Sequence, residues 1–299
     1  MKEYRESSRR KFLTQLSILT AIPFLGYGNA LPAAKIKFGY STITWGNDIE
    51  RAIKEIASLG FTGVQLRNPF AAYGDKPEVL KELLNAANLD VVMLSSGNAN
   101  INTGNDEMEI AKHVENAKFI QKLGGKRIQI TNSSRPKTGN VSQEDLIKFG
   151  KLLTEIGRRT AELNVETTYH NHMEQLGETP EEVDTILQYA DPKYVGFLLD
   201  IAHYFQGGGD PAAAVLKYKE RIKMLHLKDV ISKDGGNDYQ FVELGQGRVN
   251  IPAVFKALDT INFKGYAVVE LDAVPVKGRT QLASGQLSKD YLNTLGYNV

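Results

Sequence analysis

Cysteine is absent from the 299-residue chain, which removes thiol nucleophiles, disulfides and thiolate metal sites and leaves nitrogen and oxygen as the only strong donors for a bound metal. An excess of charge is missing too. Lys and Arg number 36 against 35 Asp and Glu, a formal net charge of +1, too balanced for a protein that holds nucleic acid by bulk electrostatics. No run of ~20 largely apolar residues is present, so no permanent membrane anchor is expected. Also lacking is any Pro/Ser-rich or low-complexity linker, and one domain is the simplest organisation. With 42% hydrophobic and 24% charged residues, the composition is that of an ordinary globular protein.

The first 30 residues differ from the rest. They carry Lys2, Arg5, Arg9, Arg10 and Lys11 against only Glu3 and Glu6, so the remainder of the chain is slightly acidic. A moderately apolar run from Leu16 to Leu25 follows, and then Gly28-Asn29-Ala30 before Leu31-Pro32. This is the order of a charged region, an apolar region and a small-residue cleavage site. Ser8-Arg9-Arg10-Lys11-Phe12-Leu13 resembles the twin-arginine signal, which implies export of a folded chain through the twin-arginine translocon. The expected division is a signal segment over 1–30 and a mature domain over 31–299, periplasmic or otherwise exported.

From Ile36 onward, short β-branched runs alternate with longer amphipathic ones. Strands are predicted at Ile36–Tyr40, Gly63–Leu66, Val91–Leu94, Arg127–Thr131, Val165–Tyr169, Val195–Leu199, Ile222–Leu227 and Tyr266–Val269. Helices are predicted between them, several opening with a helix-starting proline, as in Thr179-Pro180, Asp210-Pro211 and Ile251-Pro252. A final helix is expected between Ser288 and Leu295. This rhythm predicts a single-domain α/β fold, a (β/α)8 TIM barrel with its active site at the C-terminal ends of the strands. A doubly wound open sheet lacks support, because Tyr40-Ser41-Thr42-Ile43-Thr44-Trp45-Gly46 stands where a glycine-rich phosphate loop would follow the first strand.

The barrel demands reactive side chains where strands end, and the last four predicted strands supply them. The fifth leads into His170-Asn171-His172-Met173-Glu174 and the sixth ends in Asp200-Ile201-Ala202-His203. The seventh contains His226-Leu227-Lys228-Asp229, and the eighth closes with Val269-Glu270. Neighbouring strands lie ~4.8 Å apart, close enough for their terminal side chains to converge on one ion at bond lengths of ~2.0–2.2 Å.

Asp200-x-x-His203, His226-x-Lys228-Asp229, Gly245-x-Gly247-Arg248-Val249 and Val269-Glu270, in this order and spacing, resemble the xylose-isomerase-like superfamily of sugar phosphate isomerases and epimerases. The resemblance covers essentially the whole mature chain. It implies one divalent metal held by a Glu, an Asp, a His and a second Glu, and Asp200, His226 and Glu270 match three of those positions. At the fourth, this chain has His170 where many members have Glu. The Tyr-His-Asn-His version resembles inosose-dehydratase-like members. Either His170 binds the metal or acts as base, or Glu174 supplies the missing carboxylate. Two imidazoles and two carboxylates suit Mn²⁺, Fe²⁺, Co²⁺ or Zn²⁺, with Mn²⁺ preferred.

The expected activity is isomerisation or epimerisation of a carbohydrate by proton abstraction beside its carbonyl, through an enediolate. The alternatives are a lyase or dehydratase that expels a β-substituent from a 3-keto-glycoside or inosose, and a non-catalytic sugar-binding barrel. Candidate catalytic residues are His170, Glu270, His172, Glu174 and Lys228; candidate metal ligands are His170, Asp200, His226 and Glu270. Trp45, His203 and Arg248 are candidates for substrate contact, by ring stacking in the first case and polar contact in the others.

Overall fold

The structure is a computed structural model that describes residues 36–136, 140–233 and 238–299. The proposed signal segment lies outside the described residues. Eight parallel strands close into a barrel: β1 (Ile36–Ser41), β2 (Gly63–Arg67), β3 (Asp90–Asn98), β4 (Arg127–Thr131), β5 (Glu166–His170), β6 (Val195–Asp200), β7 (Ile222–Leu227) and β10 (Gly265–Val269). These are the eight strands the sequence predicts, and the fold is the (β/α)8 barrel. Two further strands, β8 (Asp229–Ser232) and β9 (Tyr239–Val242), form an antiparallel hairpin beyond β7. Neither is predicted.

Helices wrap the barrel: α1 (Ile49–Ser58), the short α2 (Phe70–Tyr73), α3 (Pro77–Ala86), α4 (Asp106–Lys122), α5 (Gln143–Ala161), α6 (Pro180–Tyr189), α7 (Ile201–Gln206), α8 (Pro211–Lys217), α9 (Ile251–Thr260) and α10 (Gln281–Thr294). Their starts have local causes. The Asp48, Asn105, Ser142 and Thr179 side chains accept hydrogen bonds from the first-turn amides of α1, α4, α5 and α6. Proline occupies the first turn of α3, α6, α8 and α9. No helix among the described residues is long and apolar enough to cross a membrane.

Strand alternation separates two cores. The outward-facing residues meet the helices in one large apolar layer. A smaller cluster of Val92, Met93, Leu198, Met224 and Val268 is distinct from it. Leu198, Met224 and Val268 each stand two residues before an ionisable side chain, namely Asp200, His226 and Glu270. Residues two apart share a strand face, so the apolar plug and the polar group above it are successive layers of one barrel interior.

Candidate metal centre

Four of the chain's five histidines gather at the C-terminal mouth of the barrel. His170 ends β5, Asp200 ends β6, His226 lies next to the end of β7, and Glu270 follows β10 directly. Each of the four offers one donor atom, these atoms all lie within 4.8 Å of one another, and all four residues are buried. His226 Nδ1 is 3.0 Å from His170 Nε2, 3.4 Å from Asp200 Oδ2 and 3.4 Å from Glu270 Oε1. His170 Nε2 is 3.6 Å from Asp200 Oδ2.

Two of the ligand candidates are held in place by hydrogen bonds with their neighbours. Asp200 divides its oxygens between two tasks: Oδ1 caps α7 by accepting from the amides of Ala202 and His203, both at 2.9 Å. Its Oδ2 is buried without a hydrogen-bond partner and faces the imidazoles. Asn171 locks the end of β6 from both sides, accepting from the Asp200 amide and donating to the Asp200 carbonyl. His226 Nε2 donates to Gln65 Oε1 at 2.7 Å, and the Gln65 amide in turn donates to Gln129 Oε1 at 3.1 Å. A neutral imidazole carries one proton, so the His226 nitrogen facing the other three ligands, Nδ1, keeps its lone pair.

The electrostatics match a cation site. Burial pushes His170 down to about 4, so its ring is neutral near pH 7. Burial alone would raise Asp200, but the ionisable groups around it, His203 and Lys228 foremost, overcome it and hold the carboxyl well below its usual range. Burial would likewise raise Glu270, yet the ionisable groups around it, His226 and Lys228 foremost, bring it to about 2. Two carboxylates and two imidazoles facing inward, one carboxylate oxygen lacking a hydrogen-bond partner among the described residues, form a nitrogen–oxygen set that fits a divalent transition metal.

Lys228 sits beside this set, buried, with Nζ 2.7 Å from Asp272 Oδ1, 3.3 Å from Glu270 Oε1 and 3.9 Å from Asp200 Oδ2. Burial lowers its pKa, but these three carboxylates more than compensate and raise it, so it stays charged. The Phe241 ring from β9 covers the ammonium at 4.2 Å. His203 on α7 accepts the Met173 amide at Nδ1 and packs 3.9 Å, centroid to centroid, from the His172 ring. His172 Nδ1 is 2.6 Å from the Met173 carbonyl, which only accepts, so Nδ1 carries the proton and Nε2 keeps a lone pair.

Above the metal candidates opens a cavity of about 270 Å³, with His170, His172, Glu270 and Asp272 on one side and Arg67, Asn98 and Thr131 on the other. Three residues expected near the chemistry lie elsewhere. Trp45 belongs to a 3-10 turn over Thr42–Trp45 that folds its ring against Tyr40, where the indole N–H donates to Glu55; Ile43 of that turn lines the cavity in its place. Glu174, at φ 64°, is exposed and accepts from the Tyr239 hydroxyl, outside the four-ligand group. Arg248 is exposed, donating to Gln206 and lying 5.3 Å over the Phe205 ring. Sequence reasoning missed Gln65, Gln129, Asn171 and Arg67, which position the ligands or line the cavity.

A parallel barrel whose last four strands deliver a buried His-Asp-His-Glu group to the rim defines the class of protein. A family model described as xylose isomerase-like TIM barrel matches residues 53–288, and the chain belongs to that family. It is similar to the inosose dehydratase of Clostridium perfringens strain 13, 26% identical over 276 residues that cover 81% of this chain and 92% of the relative. Among solved structures it is similar to the IOLI protein with a bound zinc atom, at a TM-score of 0.71 and 18% identity, covering 87% of this chain and 98% of that one. A sugar phosphate isomerase/epimerase from Parabacteroides distasonis matches at a TM-score of 0.67 and 23% identity, covering 87% and 94%.

Proposed function

We propose that the chain is a divalent-metal-dependent lyase that removes a proton beside the carbonyl of a small polyhydroxylated ketone and expels water from the next carbon. The observation that carries this is the replacement of a carboxylate by His170. Its Nε2 is one of the four converging donors, and its other nitrogen, Nδ1, is buried with no partner. An imidazole that binds through Nε2 has no lone pair left with which to accept a proton. Two-face epimerisation, which needs a base on each side of a planar enediolate, therefore loses one of its bases.

A bound divalent cation would supply Lewis acidity to the carbonyl oxygen and neutralise charge that develops there. His170, Asp200, His226 and Glu270 would hold it; Mn²⁺ is our first assignment, and the zinc in the IOLI protein supports Zn²⁺ as the alternative. His172 is the base, since it lines the cavity and its Nδ1 is anchored to the Met173 carbonyl, which leaves Nε2 to accept a proton. As the carbon–hydrogen pair shifts into a new C=C bond, the neighbouring C–O bond breaks. The same imidazole returns its proton to the departing hydroxyl, and the sum is loss of one water. His203 keeps the His172 ring in place, and charged Lys228 steadies negative charge on oxygen.

The dehydratase relative supports this reading. Isomerisation on one face by the same base is the second reading, supported by the sugar phosphate isomerase/epimerase from Parabacteroides distasonis. Incubating the Mn²⁺-loaded protein with inososes and keto-sugars in D₂O decides between them. A conjugated enone and released water are expected. Deuterium at an inverted carbon would overturn the one-base argument, and the absence of any turnover across the panel would remove the lyase. The site of action is proposed to lie outside the cytoplasm, on the strength of Arg9-Arg10. Replacing both by Lys is expected to retain the protein in the cytoplasm, and unchanged export would remove the twin-arginine assignment.

A further inference from the structure

Arg67 is the last residue of β2 and stands two residues after Gln65, on the same strand face. It lines the same cavity as His170 and Glu270. Among the described residues its one side-chain hydrogen bond is from a terminal nitrogen to the Ser95 hydroxyl at 3.0 Å, whereas a guanidinium has five N–H donors. Arg51, Arg127, Arg135, Arg158, Arg159 and Arg279 are each paired with a carboxylate. Arg221 is bound by three backbone carbonyls, and Arg248 is exposed. Arg67 is thus a half-buried cation that faces a cavity with only a neutral partner.

The charges around the cavity make the same point. When a divalent cation is bound, Asp200 and Glu270 offset it, and Asp272 offsets Lys228 at 2.7 Å. Arg67 is left as one uncompensated positive charge on the opposite wall. A guanidinium matches a carboxylate with two parallel hydrogen bonds, and such charge-assisted pairs are about twice as strong as neutral ones. At about 270 Å³ the cavity is smaller than the ~300–1,000 Å³ typical of drug-sized ligands, so it suits one small ring or a short chain.

We propose that Arg67 is an anion-binding subsite, and that the substrate is a small polyhydroxylated ketone bearing one carboxylate. This rests on the reading that the cavity receives the substrate of the metal site. It narrows the substrate class from a small polyhydroxylated ketone to a keto acid. The carboxylate docks on the β2–β3 wall while the carbonyl and its neighbouring carbon face the β5–β10 wall. A single guanidinium and one leftover charge favour a carboxylate monoanion over a phosphate ester, which carries close to two negative charges at neutral pH.

Isothermal titration of the Mn²⁺-loaded protein tests the assignment without turnover, with quinate as the carboxylated ring, myo-inositol as the uncharged ring and glucose 6-phosphate as the phosphate ester. Quinate is expected to bind about tenfold or more tightly than myo-inositol, and its affinity, unlike that of myo-inositol, to fall with added salt. Arg67→Met should erase that preference and leave myo-inositol binding within about twofold; Arg67→Lys, which keeps the charge and loses the fork, should fall between. Equal affinity for the two rings, no quinate binding, or an unchanged quinate preference in Arg67→Met would overturn the subsite. Tighter Arg67-dependent binding of glucose 6-phosphate would overturn the carboxylate. A quinate preference without elimination in D₂O would count against the lyase alone, and elimination without the preference against the subsite alone.

Discussion

Gln65 decides which nitrogen of His226 is free. Its amide donates to Gln129, which turns Oε1 toward His226 Nε2 and obliges that nitrogen to carry the proton. Gln65→Leu removes the acceptor while nearly keeping the volume, so the imidazole can change tautomer and present an N–H to the ligand group. We expect about 10–100-fold weaker metal binding by chelator competition, the usual effect of losing such a partner, with far-ultraviolet circular dichroism unchanged. Gln65→Glu keeps an acceptor and should retain most of the affinity; wild-type affinity in Gln65→Leu would mean that His226 is oriented by other contacts. The four ligand candidates are legible in the sequence because each stands at or beside the end of a predicted strand. Gln65, Gln129 and Arg67 are not, since a polar side chain inside a five-residue strand reads as the solvent-facing half of an alternation. Only closure of the barrel turns that half inward. Trp45 and Arg248 show the converse: a place just after a strand or in a glycine-rich loop does not fix direction, and a 3-10 turn and a surface contact with Phe205 and Gln206 carry them away.

The hairpin β8–β9 and the loop after it depend on one carboxylate. Asp229 accepts from the backbone amides of Val230, Gly245, Gly247 and Val249 at 2.9–3.0 Å. This explains why Asp229 and Gly245-x-Gly247 occur together, for a Cβ at Gly247 would lie 2.2 Å from Asp229 Oδ1. Asp229→Ala leaves those donors without their shared partner, and a loss of about 2–4 kcal/mol in urea unfolding is expected. Proteolysis should become faster between Leu244 and Val249. Unchanged cleavage there would show that the loop is held by other contacts. Because the hairpin carries Phe241 over Lys228 and against His203, the variant should also disturb the site. The hairpin is illegible in sequence because only Lys228 separates β8 from β7, so no turn signal marks where a new strand begins. α10 starts at Gln281 rather than near Ser288 for a different reason. Its buried face is built from Ser284, Gly285 and Ser288 with Leu292, and small residues leave no apolar stripe to read.

At the scale of the whole barrel, the four ligand candidates belong to β5, β6, β7 and the residue after β10, which are neighbours in the closed sheet. An ion held by all four ties adjacent strands together, and unfolding separates the ligands by up to a hundred positions along the chain. Binding is then confined to the folded state and stabilises it by about 2.7 kcal/mol when the free metal stands at 100 times Kd. For a domain of this size that corresponds to roughly 5–10 °C in Tm, and chelation should reverse it. Asp200→Asn isolates the cause. Asn still caps α7 through its side-chain oxygen, the role that Oδ1 plays toward Ala202 and His203, and Asn ranks beside Asp as a helix cap. What it loses is the second carboxylate oxygen, the one buried without a partner among the imidazoles. Scanning calorimetry is therefore expected to give the metal-free variant a Tm close to that of the metal-free parent, and to show no rise on adding Mn²⁺. A full metal-dependent rise in Asp200→Asn would place the ion away from the strand ends, whereas a large drop in the metal-free Tm would mean that Asp200 serves the fold more than the ion.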